Sequence, residues 1–341
     1  PLRLLGNRDF VVASGSRFLA AVGYGAVIIS IMLHLQDSLP EHQSVLAVTA
    51  FLFISTVPTV LVAPWAGKLA DSTDSRLLAV TTSLISCAAV TAMAIAMTTM
   101  HNYLLVIFAL TLVLETAQAV ASPMWAALLP RIVGEEATPK AVGTMQATLM
   151  LAQLAGPAVG GILVGAGGTV FSFVAAAVGY AVLAIGAIMV RTRRAVVLAA
   201  DATPPRLLDG LRTLRADKIM WMVLLSALFV VLAAEAITIL QIFLARETLD
   251  ATPTQYGLLS ATMAGGMVFG ALGAGKIGTE KGRVGAYLAS CAASGVALIL
   301  MGCAWNLMML FVFAAALGLG IGVLNATFGA LLIMRTREEQ R

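Results

Sequence analysis

Apolar residues in this chain gather into ten long runs separated by short polar gaps and one long one. The runs are Phe10–Leu35, Val45–Ala66, Leu77–Thr98, Tyr103–Ala126, Val142–Val164, Val170–Val190, Ile219–Leu244, Tyr256–Ile277, Val284–Cys303 and Leu307–Met334. Each is near the roughly 20 residues an α-helix needs to cross about 30 Å of hydrocarbon. The pattern predicts an all-α membrane protein with ten transmembrane helices, numbered here in chain order.

The polar gaps give the direction. Of the 21 Lys and Arg, 19 fall at the N-terminus, in the even-numbered gaps or at the C-terminus. The sixth gap alone carries Arg191, Arg193, Arg194, Arg206, Arg212, Arg215 and Lys218, whereas the odd gaps hold only Arg246. Positive charge collects on the cytoplasmic side of membrane proteins. A multi-pass protein of the inner cell membrane is expected, with its N-terminus and the long central loop in the cytoplasm. That loop divides the chain into a six-helix bundle over residues 1–190, a linker over 191–218 and a second bundle over 219–341.

Composition agrees. Hydrophobic residues make up 60% and charged residues 11%, against about 45–50% and about 25% in soluble domains. The net charge of +4 needs no nucleic acid partner, because anionic inner-leaflet lipid attracts basic loops. Trp65, Trp125, Trp221 and Trp305 all sit at run ends, where an indole suits the headgroup zone. Cys87, Cys291 and Cys303 lack metal-ligand spacing, and His34, His42 and His101 lie near outer helix ends. No metal or other cofactor is expected. No Gly-rich run ends in Gly-Lys-Ser or Gly-Lys-Thr, so neither an ATP-driven pump nor an enzyme is indicated.

The two parts share short matches. Gly67-Lys68-Leu69-Ala70 with Arg76 recurs as Gly275-Lys276-Ile277-Gly278 with Arg283. Ala127-Leu128-Leu129 with Glu135-Glu136 recurs as Ala330-Leu331-Leu332 with Glu338-Glu339. Both fall in corresponding gaps, which points to a parallel repeat. On that reading the second part stops where the first has two helices still to come, and ten helices of a twelve-helix protein are expected, with a natural ten-helix protein as the alternative.

Six helices, a basic loop and a repeat resemble the major facilitator superfamily. Gly67-Lys68-Leu69-Ala70-Asp71, ending at Arg76, is similar to its signature between helices 2 and 3, although Ser72 and Asp74 replace a basic residue and a glycine. Gly156-Pro157-Ala158-Val159-Gly160-Gly161 resembles the helix 5 motif of its proton-coupled exporters. The run from Pro123 to Pro130-Arg131 is similar to the drug-efflux branch containing macrolide-efflux proteins and the enterobactin exporter. The first-helix Asp of that branch is absent, and Tyr24 stands in its place. The resemblance implies a two-bundle fold, a cavity lined by helices 1, 4, 7 and 10, and a conformational latch at Gly67, Asp71 and Arg76.

An ionisable group inside the membrane costs at least about 2.5–3.5 kcal/mol, so each such group is a functional candidate. There are three: Arg17 in helix 1, Glu115 in helix 4 and Glu235 in helix 7. All fall on helices that the resemblance assigns to the cavity. Thr111, Glu115, Gln118 and Ser122 share one face of helix 4. Hydrocarbon disfavours the charged form of a carboxyl group, the condition a proton carrier needs. Arg17 either snorkels to the headgroups or pairs with Glu115. Asp71 either caps helix 3 or binds across to the second bundle. Gln146, Gln153 and Asn325 are polar groups that serve either as interhelical glue or as ligands.

Ala152, Gly156 and Gly160, and likewise Gly266, Gly270 and Ala274, form small-residue stripes that permit close helix approach. The resemblance implies that helices 5 and 8 seal the two halves, and Pro157 is expected to bend helix 5. The expected protein is a secondary transporter, an antiporter that exports amphipathic or cationic small molecules against protons. Its partners are a small-molecule substrate, protons and the lipid bilayer, and a monomer is expected. A siderophore or metabolite carrier of the same fold is the alternative within transport. Outside it stands a transport-inactive scaffold or lipid-moving protein. A channel is disfavoured, because no helix carries a charge ring or filter.

Overall fold

The computed structural model describes residues 6–134, 137–190, 237–275, 277 and 279–339. The first six apolar runs become helices, the first five longer than the runs themselves: α1 (Arg8–Ser38), α2 (Glu41–Ser72), α3 (Ser75–Thr99), α4 (Tyr103–Val133), α5 (Thr138–Gly167) and α6 (Thr169–Met189). Of the seventh run, residues 237–243 are α-helical and Leu244–Thr248 wind as a π-turn, together α7. Then follow α8 (Pro253–Ala274), α9 (Glu280–Gly302) and α10 (Leu307–Glu339). Nine of these helices, all but α7, are long and apolar enough to cross a membrane among the described residues. Large apolar side chains such as Leu105, Phe269, Ile299 and Met308 lie exposed along them. In water that would be a liability; against lipid tails it is expected.

Polar caps set the ends that hydropathy leaves loose. Asn7 accepts from the Phe10 amide at 3.2 Å and also donates to the Ile132 carbonyl at 2.8 Å, tying the start of α1 to the last turn of α4. Thr252 and Gln255 form a reciprocal capping box at the start of α8, and Thr279 caps α9. Each satisfies backbone donors that a helix start leaves orphaned. Between α7 and α8 the chain turns through Asp250, whose φ of 50° is a left-handed conformation that Asp tolerates. The Arg246 guanidinium bridges this turn by donating to the Ala251 carbonyl at 2.5 Å.

Contacts divide the chain into two compact units. The first comprises Pro1–Ala20, His34–Met145 and Phe173–Ile242; the second comprises Ala21–Leu33, Gln146–Ser172 and Phe243–Arg341. The middle of α1 and most of α5 thus group with the later helices, for a packing reason given below. The linker expected at 191–218 lies outside the described residues. In the first unit α4 packs against both α2 and α3. In the second, α10 packs against both α8 and α9. Each helix of the first trio has its counterpart six places on, the arrangement the sequence matches imply.

Candidate functional site

The polar face of α4 changes character along its length. Thr111 is fully buried, its hydroxyl donating to the Ile107 carbonyl at 2.8 Å. Glu115 is 3% exposed, Gln118 half-buried and Ser122 exposed. The carboxyl group is therefore enclosed by protein, and the face opens only towards the end of α4 that carries Arg131. Tyr180 of α6 lies near enough for the Glu115 charge to act on it, and it too is fully buried. Its hydroxyl has no hydrogen-bond partner among the described residues. Around it α6 is drawn close to α1, since a Cβ on Gly179 would lie 2.9 Å from the Leu19 carbonyl oxygen. Sequence reasoning passed over Tyr180, although a lone phenol in an otherwise apolar helix was the available signal.

Arg17 is half-buried, and its guanidinium carbon lies 5.3 Å from the centre of the Trp125 ring. Glu115 was the partner considered from the sequence; the contact the structure gives Arg17 is this ring. Trp125 was expected among headgroups but is 4% exposed. Trp65 and Trp305 do lie at the surface. An indole face attracts a desolvated cation by roughly 0.5–2 kcal/mol, which accounts for Trp125 turning inward.

At the turn between α2 and α3, Asp71 and Gly67 lie in the last turns of α2. The residue that caps α3 is Asp74, whose carboxylate accepts from the Arg76 amide at 2.7 Å and the Leu77 amide at 3.2 Å. The cap considered for Asp71 thus belongs to Asp74. Arg76 donates to the Ile188 carbonyl in the last turn of α6, placing a cation where a helix end is negative. Glu235 lies outside the described residues. Tyr24, on the middle of α1, is half-buried.

The glycine motif of α5 works on two faces. A Cβ on Gly160 would sit 2.7 Å from the Ala26 Cα, and one on Gly156 would sit 3.0 Å from the Gly25 Cα. These residues press α5 against the middle of α1, which is why both belong to the second unit. One residue further round, Gly161 meets α8: a Cβ there would lie 2.5 Å from the Pro253 carbonyl oxygen and 2.8 Å from the Gly257 Cα. The Pro157 carbonyl faces Gly257 at the same crossing, and the Thr254 hydroxyl donates to the Gly161 carbonyl at 3.3 Å. The stripe of Gly266 and Gly270 on α8 faces Ala315 and Leu319 of α10. The two stripes therefore meet α1 and α10, and helices 5 and 8 touch through Gly161 and Gly257.

Further along, the Leu154 side chain of α5 lies against Gly265 of α8. Between them and α10 lies a cavity of about 180 Å³, lined among others by Met150, Gln153, Met267, Val268, Gly322 and Asn325. Gln153 and Asn325, whose facing the sequence left open, look into one space. The cavity lies towards the ends of α5 and α8 that the basic gaps join.

The transmembrane secretion effector family matches residues 39–331 of the chain. The chain belongs to that family of major facilitator proteins. It is therefore a membrane transporter of this fold, multi-pass and all-helical, and the family and fold are those of a transporter rather than an enzyme. No curated protein matches it at a significant level. Among solved structures it is similar to a bacterial homologue of the iron transporter ferroportin in the inward-facing state. That likeness has a TM-score of 0.70 at 14% identity, over 96% of this chain and 84% of that one. A bacterial homologue of the human lysosomal transporter Spinster gives 0.65 at 12% identity, over 94% and 73%. A D-xylose–proton symporter gives 0.59 at 13%, over 94% and 81%. At such identities the likeness concerns the fold.

Proposed function

We propose that this transporter is a proton-coupled exporter of amphipathic or cationic small molecules working by alternating access. The observation that carries the reading is the pair α5 and α8, in backbone contact at Gly161 and Gly257 and together lining a cavity further along. A carrier needs a site closed on one side and reachable from the other. By the charge pattern, the contact lies at the outer end and the cavity opens towards the cytoplasm, from which an exporter loads. Glu115 and Glu235 are the proton-carrying groups of this scheme, and Gly67, Asp71 and Arg76 hold one conformation. Glu115 is enclosed away from bulk water, so its protonation acts on the packing of α4 and α6 around Tyr180.

The test is flux in proteoliposomes with an imposed pH gradient and a cationic and an uncharged dye. Wild type is expected to accumulate dye on the acidic side; Glu115→Gln and Glu235→Gln are each expected to lose at least about tenfold of the gradient-driven rate. If both variants keep wild-type rates, the antiport mechanism is wrong. Flux that ignores the gradient favours a uniporting siderophore or metabolite carrier, and no flux of any solute favours a scaffold.

A further inference from the structure

The cavity between α5, α8 and α10 carries a narrower statement about its ligand. Among the described residues its polar lining is two primary amides, Gln153 and Asn325, beside thioethers and small apolar groups. Among the described lining residues none is ionisable. An isolated cation or anion entering such a space gives up part of its hydration without a counter-charge among the described lining residues, which costs free energy. An uncharged molecule with one donor and one acceptor loses little, because each amide offers both a carbonyl and an NH2. Met150 and Met267 give the walls a flexible, polarisable surface suited to flat rings.

The floor is rigid where the walls are not. Gly318 and Gly322 bring α10 into contact with the Met263 and Met267 backbones of α8. Asn325 stands one turn beyond Gly322, so its position is fixed by that crossing. At about 180 Å³ the space is smaller than the roughly 300–1,000 Å³ of drug-sized sites.

We propose that this cavity binds uncharged, flat amphipaths of about two fused rings, held by hydrogen bonds to Gln153 and Asn325, and that it selects against permanent cations and anions. The proposal rests on the reading of the protein as a small-molecule transporter and narrows its substrate class to uncharged amphipaths, setting aside the permanent cations that reading admits.

The experiment is fluorescence binding to the full chain in lipid nanodiscs at neutral pH, with empty nanodiscs subtracted. The probes are aminomethylcoumarin (uncharged), methoxy-N-ethylquinolinium (cationic) and aminocoumarin acetate (anionic). Wild type is expected to bind the uncharged probe at least about tenfold more tightly than either ion. Gln153→Leu and Asn325→Leu keep side-chain bulk and are each expected to weaken it about three- to tenfold, the scale of one hydrogen bond. Ala271→Phe, which fills the space, is expected to abolish binding.

The proposal is overturned by equal or tighter binding of the quinolinium, by no binding of the uncharged probe, or by affinity unchanged in the Gln153→Leu/Asn325→Leu double variant. Selective binding without flux in the proteoliposomes would strike the transport reading and leave this one standing. Flux with unselective binding would do the reverse.

Discussion

Asp74 occupies a place where the superfamily signature has glycine, and its two hydrogen bonds to the start of α3 explain the exchange. Alanine at such a cap costs about 1 kcal/mol, but glycine only a few tenths. Asp74→Ala should therefore lower the thermal unfolding midpoint of the purified protein, and Asp74→Gly should stay close to wild type. Equal losses would mean that the carboxylate acts elsewhere. Arg17 and Trp125 make a second expectation. A double-mutant cycle with Arg17→Met and Trp125→Leu should give a coupling of roughly 0.5–2 kcal/mol in unfolding free energy. Zero coupling would reduce the pair to proximity. Individual charges in the membrane were easy to find in the sequence because each is rare there. Their neighbours were not, since Trp125 lies on a different helix from Arg17 and Tyr180 on a different helix from Glu115, and spacing within one helix says nothing of the next.

Helices as elements were largely legible, because a span must hide its backbone and so must be long and apolar. The ends were less so: α2 and α10 run past their apolar runs to Ser72 and Glu339. Small-residue stripes showed that α5 and α8 have close neighbours but not which ones, since periodicity gives a face and not a partner. The structure supplies a matched pair of tests on one helix. An added methyl at Gly161 meets the α8 backbone, whereas nothing lies within 4 Å of one at Gly143. Gly161→Ala should destabilise by about 1–3 kcal/mol, the usual cost of overpacking, and slow flux. Gly143→Ala should be neutral or stabilise by up to about 1 kcal/mol. Thermal unfolding of both variants decides it, and equal behaviour would remove the crossing from the account.

For the molecule as a whole, the repeat read from two short matches reappears as packing: α4 with α2 and α3, α10 with α8 and α9. Chain order, however, does not give the grouping of contacts, because the middle of α1 joins α5 and the later helices. No run of residues announces that; it follows from Gly25 and Ala26 lying under Gly156 and Gly160. The hydrogen bond from Asn7 to Ile132 carries a last consequence, for the order in which the protein is made. Its two ends are 125 residues apart, which at about 5–20 residues per second is about 6–25 seconds of synthesis. During that time the first helix stands in the bilayer with the Asn7 side-chain amide still waiting for Ile132. Asn7→Ala should therefore cost the finished protein about 1–2 kcal/mol in unfolding free energy, while ribosome-bound chains cut short before Ile132 should insert alike with either residue.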